Sequence, residues 1–137
     1  MMLRSRAQKG QVLVMSALVM AFLFLPLSIF VIDTALVESG YAQLGETLQA
    51  SAEDGASTID EAAYRSGNGK TVVLDAVQAK VVADRSMRVS GMSGLDSWDV
   101  TIQGSRVTIT GRLAVQLLLL GNATLTESRS ASLVVGQ

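Results

Sequence analysis

Neither cysteine nor histidine occurs in the 137 residues. Their absence excludes disulfides, thiol nucleophiles, Cys/His metal sites and every histidine-based proton relay. Without histidine the many serines and threonines lack their usual base, and neither Lys70 nor Lys80 has an evident serine partner motif. No glycine-rich phosphate loop follows a strand: Gly67, Gly69, Gly91 and Gly94 have neither the spacing nor the lysine. The acidic pairs Glu53-Asp54 and Asp60-Glu61 are sequence neighbours, which point about 100° apart on a helix and form no carboxylate dyad. Asp96 and Asp99 lack the spacing of a calcium loop, so a solvated loop is expected there. Basic residues form no block, so there is no electrostatic case for nucleic-acid binding. The expectation is a protein with no catalytic residues, no metal and no cofactor, and not an enzyme.

Against these absences stands one long apolar run. Residues Gly10 to Ile32 carry no charge and are bracketed by Lys9 and Asp33. The portion from Val12 to Ile32 is about as long as a helix needs to cross a bilayer core of roughly 30 Å. A cleaved secretory signal has a shorter apolar part ending at a small-x-small site, and here the nearest such match, Ala50-Ser51-Ala52, lies far beyond the run. A retained anchor is the better reading. Pro26, the single proline, implies a kink or local unwinding, with Ser28 close enough to help satisfy the freed carbonyl.

Charge gives the span a direction. Arg4, Arg6 and Lys9 precede it with no acid among them, whereas all 12 acidic residues lie from Asp33 onward. The basic flank of a span stays in the cytoplasm, so 1–10 is expected inside, 11–33 in the membrane and 34–137 outside. Asp33 either marks the interface or meets a cationic group of a neighbouring helix.

No turn signal appears after Ile32. Val37, Tyr41, Leu44, Leu48, Ala52, Ala56, Ile59 and Ala63 recur at helical spacing, predicting a helical extension over 34–66 that ends at Gly67-Asn68-Gly69. Gly40, Gly45 and Gly55 each weaken this helix by about 1 kcal/mol relative to alanine. It therefore needs a partner surface, either the domain that follows or sister subunits. The expected packing face comprises Asp33, Tyr41, Leu44, Gly45, Leu48, Ala52 and Ala56.

Residues 70–137 read as a small α+β domain. Thr71–Met87 suggests a helix with Leu74, Val77 and Val81 on one face, and Met87-Arg88-Val89 the start of a strand. Trp98, Val100 and Ile102 alternate with polar residues, as do Val107, Ile109, Gly111, Leu113 and Val115. Gly104-Ser105 between them predicts a hairpin with a type II′ turn. The preceding helix is the natural cover for the apolar face. A return strand over 123–135 has Glu127 and Arg129 on the parity of Leu125, which predicts a half-exposed or edge position. Leu117, Leu118, Leu119 and Leu120, followed by Gly121, are too short to span a membrane. They form either a buried closure of the core or an exposed apolar tip for a partner or the membrane surface.

The N-terminal motifs resemble the TadE/TadG-like pseudopilins of Tad pilus assembly. Gly10 matches the family's glycine after basic residues, Val31-Ile32-Asp33 its apolar-Asp motif, and Tyr41-Ala42-Gln43-Leu44 and Ser51-Ala52-Glu53-Asp54-Gly55-Ala56 the segments beyond. The resemblance covers residues 9–57 and is loose afterwards. It implies a pilin-like α+β fold with three to four antiparallel strands. It also implies a single-pass structural component of a bacterial Tad or type IV-like pilus or secretion assembly in the cytoplasmic (inner) membrane. The implied partners are the lipid bilayer and other assembly subunits, including copies of itself. Cleavage after Gly10 would make Gln11 the first mature residue and Met15 the fifth, where filament-forming pilins carry glutamate. An uncleaved, membrane-retained component therefore fits better. A membrane-tethered ligand-binding or sensory module is the alternative, and a secreted domain a third.

Overall fold

The computed structural model describes residues 3–68 and 72–133, with side chains from Gly10 onward. The side chains of Arg4, Arg6 and Lys9, together with Gly69, Lys70 and Thr71 and the segment after Leu133, lie outside the described residues. The fold is α+β: a long apolar N-terminal helix, two shorter helices and a three-stranded antiparallel sheet.

Helix α1 runs from Leu3 to Ala56 without interruption at Pro26. Proline in a helix interior deprives the carbonyl four residues earlier, here Phe22, of its donor. Ser28 does not supply one, because its hydroxyl donates to the Phe24 carbonyl at 2.8 Å. The helix is long and apolar enough to cross a membrane.

α1 stops at Ala56 rather than continuing to Ser66. The Ser57 and Thr58 hydroxyls donate to the carbonyls of Asp54 and Gly55 and close the last turn. Such local side-chain bonds compete with helix continuation. Ile59 then forms an isolated antiparallel bridge with Leu74, and the Asp60 N–H donates to the Val73 carbonyl. The Asp60 carboxylate caps a short helix α2, Glu61–Ser66, by accepting from the Ala62 and Ala63 amides.

Helix α3, Ala76–Val89, is capped in the same manner by Asp75. Its buried face is Ala79, Ala83 and Met87, not the expected Leu74, Val77 and Val81. Val77 and Val81 are 74 % and 58 % exposed, and Leu74 lies before the helix in the bridge to Ile59. The reason is close helix packing. A Cβ added to Gly55 of α1 would stand 3.0 Å from the Ala79 carbonyl oxygen and 3.1 Å from the Ala83 Cβ, so only small residues fit. Residues 87–89 end this helix rather than begin a strand.

Strands β1 (Leu95–Gln103), β2 (Arg106–Leu117) and β3 (Gly121–Ser132) lie in sequence order with β2 central. The β1–β2 turn is the expected one: Gln103 pairs with Arg106, Gly104 has φ +60°, and Ser105 keeps negative φ, as type II′ demands. β3 is an edge strand, half-exposed as its charged residues suggested.

The sheet's main cover is α1 itself, which lies on β2 and β3, while α3 packs on α1 and on β1. Leu44 and Leu48 sit over Gly111 of β2, where an added Cβ would fall 2.9 Å from one Leu48 methyl and 3.1 Å from one of Leu44. Leu125 of β3 lies over Gly40 of α1 in the same fashion. The core comprises Leu44, Leu48, Ala52, Val107, Ile109, Leu113 and Leu125, with Met87 and Ala83 from α3.

Candidate functional site

The apolar half of α1 offers no chemistry but a large surface. From Val12 to Ile32 nearly every large apolar side chain is exposed. Gly10 and Gln11 lie exposed within the continuous helix.

At the end of this stretch stands Asp33, only 5 % exposed. Its two carboxylate oxygens accept the backbone N–H groups of Leu118 and Leu119 at 2.7 and 2.9 Å, across 85 and 86 residues of sequence. These donors belong to the loop of the β2–β3 hairpin, where Leu117 pairs with Gly121 and three leucines cross between the strands. Gly121, at φ +71°, supplies the left-handed conformation that a three-residue hairpin loop needs. Charge-assisted bonds to two adjacent amides are among the stronger protein hydrogen bonds. They tie the tip of the sheet to the helix at the first charge after its apolar run.

This pairing replaces both expectations for Asp33. The residue is neither a bare interface marker nor aimed at a cation; its partner is the hairpin tip. The four leucines divide between the two readings offered for them. Leu117 is buried, while Leu118, Leu119 and Leu120 are 66 %, 53 % and 78 % exposed. Nothing local in the sequence pairs Asp33 with this tip. The Gly121 stop was legible, but its meeting with Asp33 depends on where the hairpin falls along α1.

Of the two partner surfaces expected for the packing face, the domain that follows is the one that covers it. Leu44, Gly45, Leu48, Ala52 and Ala56 are buried by the protein's own sheet and α3, so they are not free to meet sister helices. Of that stripe only Tyr41, at 42 %, retains substantial exposure. Gly45 faces the Glu127–Arg129 ion pair of β3; an added Cβ would lie 3.1 Å from Arg129 Nη2 and 3.2 Å from both Glu127 carboxylate oxygens. The two charges that interrupt the apolar face of β3 are thus accommodated where the helix has no side chain.

Two further polar clusters join α3 to α1 and to β1. Buried Ser51 donates to Ser86 Oγ at 3.2 Å, and Ser86 donates to Asp54 at 2.6 Å. This chain of hydroxyls ends on the Asp54 carboxylate and borders an open groove lined by Thr47, Ala50, Val82 and Arg85. Asp84 of α3 accepts from the Trp98 indole at 2.9 Å and from Arg88 Nε at 2.8 Å. The indole bond and then the arginine hold its carboxyl below the usual aspartate value of 3.8. Among the described residues, no three acidic side chains converge as a metal ion would require.

Comparison with protein-family models, with curated proteins and with solved structures returns no significant match.

Proposed function

We propose that the protein is a single-pass membrane structural component of a bacterial Tad or type IV-like pilus or secretion assembly. Its first helical half stands in the cytoplasmic membrane with the basic N-terminus inside, and its α+β domain projects outside. It acts by helix packing and protein–protein contact rather than by catalysis. The carrying observation is the division of α1: one continuous helix is bare and apolar over its first half and forms the spine of a small domain over its second. A bare apolar helix is stable in lipid or among other helices, and an assembly subunit exchanges one for the other. The N-terminal resemblance to TadE/TadG-like pseudopilins supports the same reading. Because Leu44, Gly45, Leu48, Ala52 and Ala56 are occupied internally, subunit contacts fall on the exposed half of α1 and on the outer surface of the domain.

Photo-crosslinking in cells, with the reactive group at Met20 or Leu23, tests this. The expected result is covalent adducts with copies of the chain or with other assembly subunits. Adducts with lipid alone would reject the assembly role while leaving the anchor in place. An intact mass that retains residues 1–10 is expected, whereas a chain starting at Gln11 would reject the uncleaved form.

A further inference from the structure

We propose that the Leu118–Leu120 loop is a second membrane contact, entering the lipid interface beside α1, with Asp33 setting its depth. The inference rests on the reading that Val12–Ile32 stands in a bilayer.

Height along the helix is the first reason. Asp33 is the first charged residue after the apolar run and so lies at the rim of the hydrocarbon layer. Its carboxylate holds the Leu118 and Leu119 amides at 2.7 and 2.9 Å, so the loop is fixed at that same level. The leucines that follow are exposed, and so are Phe30, Val31 and Ile32 of the neighbouring helix turn. Loop and helix therefore offer apolar surface at one height, where lipid is the adjacent phase.

Charge distribution is the second reason. Residues 113–126, which include the whole lower end of the hairpin, contain no charged side chain. The nearest charges on the two strands are Arg112 and Glu127. Arg112 stands five residues above Leu117, or about 17 Å at the usual strand rise. Asp33, the one acidic group tied to this end, is turned onto backbone amides rather than toward solvent. The hairpin tip is free of charge and the Leu118 and Leu119 amides are capped, which lowers the cost of entering an interface, while the exposed Gln116 and Asn122 that flank the loop suit the headgroup level.

The absence of native cysteine makes the test direct. The full chain is reconstituted in phosphatidylcholine/phosphatidylglycerol vesicles as Leu119→Cys, Ser105→Cys or Leu23→Cys and labelled with an environment-sensitive fluorophore. Leu119 should resemble Leu23: emission shifted to the blue, and quenching by nitroxide-bearing lipids several-fold stronger than at Ser105 on the far turn of the sheet. Asp33→Ala, checked for an intact domain by circular dichroism, should weaken lipid quenching at position 119 and leave position 23 unchanged. If position 119 is quenched by aqueous iodide as readily as position 105 while position 23 stays in lipid, the loop contact is wrong and the anchor stands. Shielding of position 119 from both iodide and lipid nitroxides would assign the tip to a protein neighbour and overturn the lipid contact. Water exposure at position 23 would reject the anchor and the loop contact together.

Discussion

Leu23 and Leu48 lie on the same helix, yet Leu23 is 64 % exposed and Leu48 has no accessible surface. Backbone geometry is common to both. What differs is the neighbour: among the described residues the first half of α1 has none, while the second is wrapped by β2, β3 and α3. Small residues mark the covered half. Gly40, Gly45 and Gly55 admit Leu125, the Glu127–Arg129 pair and the Ala79/Ala83 face, respectively, at distances a larger side chain would forbid. An apolar surface in a soluble domain must be covered by protein, whereas one in a bilayer is already solvated by lipid chains. One continuous helix can therefore serve two solvents, and Asp33 is the joint between them.

The largest disturbance to this division should come from a charge on the covered side. Ala52→Glu places a carboxylate where there is no accessible surface. It should cost more than about 4 kcal/mol and abolish cooperative unfolding of the domain, followed by circular dichroism in detergent. Membrane retention after alkaline carbonate should be unchanged, because the exposed half is untouched. Loss of retention would mean that the two halves are not independent.

A paired truncation sharpens the comparison further. Leu48→Ala should cost about 2–5 kcal/mol of domain stability, since it opens a cavity above Gly111. Leu23→Ala, on the same helix, should change domain stability by less than about 0.5 kcal/mol. Equal effects in urea titrations would contradict the division of α1.

At the joint, Asp33→Ala leaves the Leu118 and Leu119 amides without an acceptor and should cost about 1–3 kcal/mol. Hydrogen exchange at those two amides should accelerate, while the β1–β2 turn at Gly104 keeps its protection.

The smallest effect lies far from the exposed apolar half. The Trp98 indole and Arg88 hold the Asp84 carboxyl below its ordinary value. Its contribution is thus complete above the unfolded-state value near 3.8 and is lost as pH falls through the lower folded-state value. The Asp84 side chain is 38 % exposed, so solvent screening limits the effect to about 0.5 kcal/mol. Asp84→Asn should flatten this part of the acid limb in a thermal-unfolding series and leave stability at neutral pH lowered only slightly.

Much of the fold was legible. The β1–β2 hairpin followed from period-two alternation around Gly104-Ser105, and the edge character of β3 from Glu127 and Arg129. The helical stripe of α1 was read as a packing face, with its occupant left open between the domain that follows and sister subunits; the structure supplies the former. Periodicity reports that a surface is covered and is silent on whether the cover comes from the same chain. In α3 the valines outweighed the alanines as apolar signals, yet close approach to Gly55 selected Ala79 and Ala83. Side-chain size counted there for more than hydrophobicity. The end of α1 was missed because Ser57 and Thr58 act through local hydroxyl bonds that leave no periodic trace.

By itself, the amino-acid sequence determined the apolar run from Gly10 to Ile32, its charged boundaries and the alternation of the strands. These are properties of neighbours along the chain, and hydration and backbone geometry act on them directly. Tertiary structure alone decided that Asp33 holds the tip of a hairpin 85 residues away and that Leu118–Leu120 stay exposed beside the helix. Both depend on the rise of α1 matching the length of β2 and β3, so that two distant segments end at one height. No local rule carries that coincidence of lengths; it exists only once the sheet is laid against the helix.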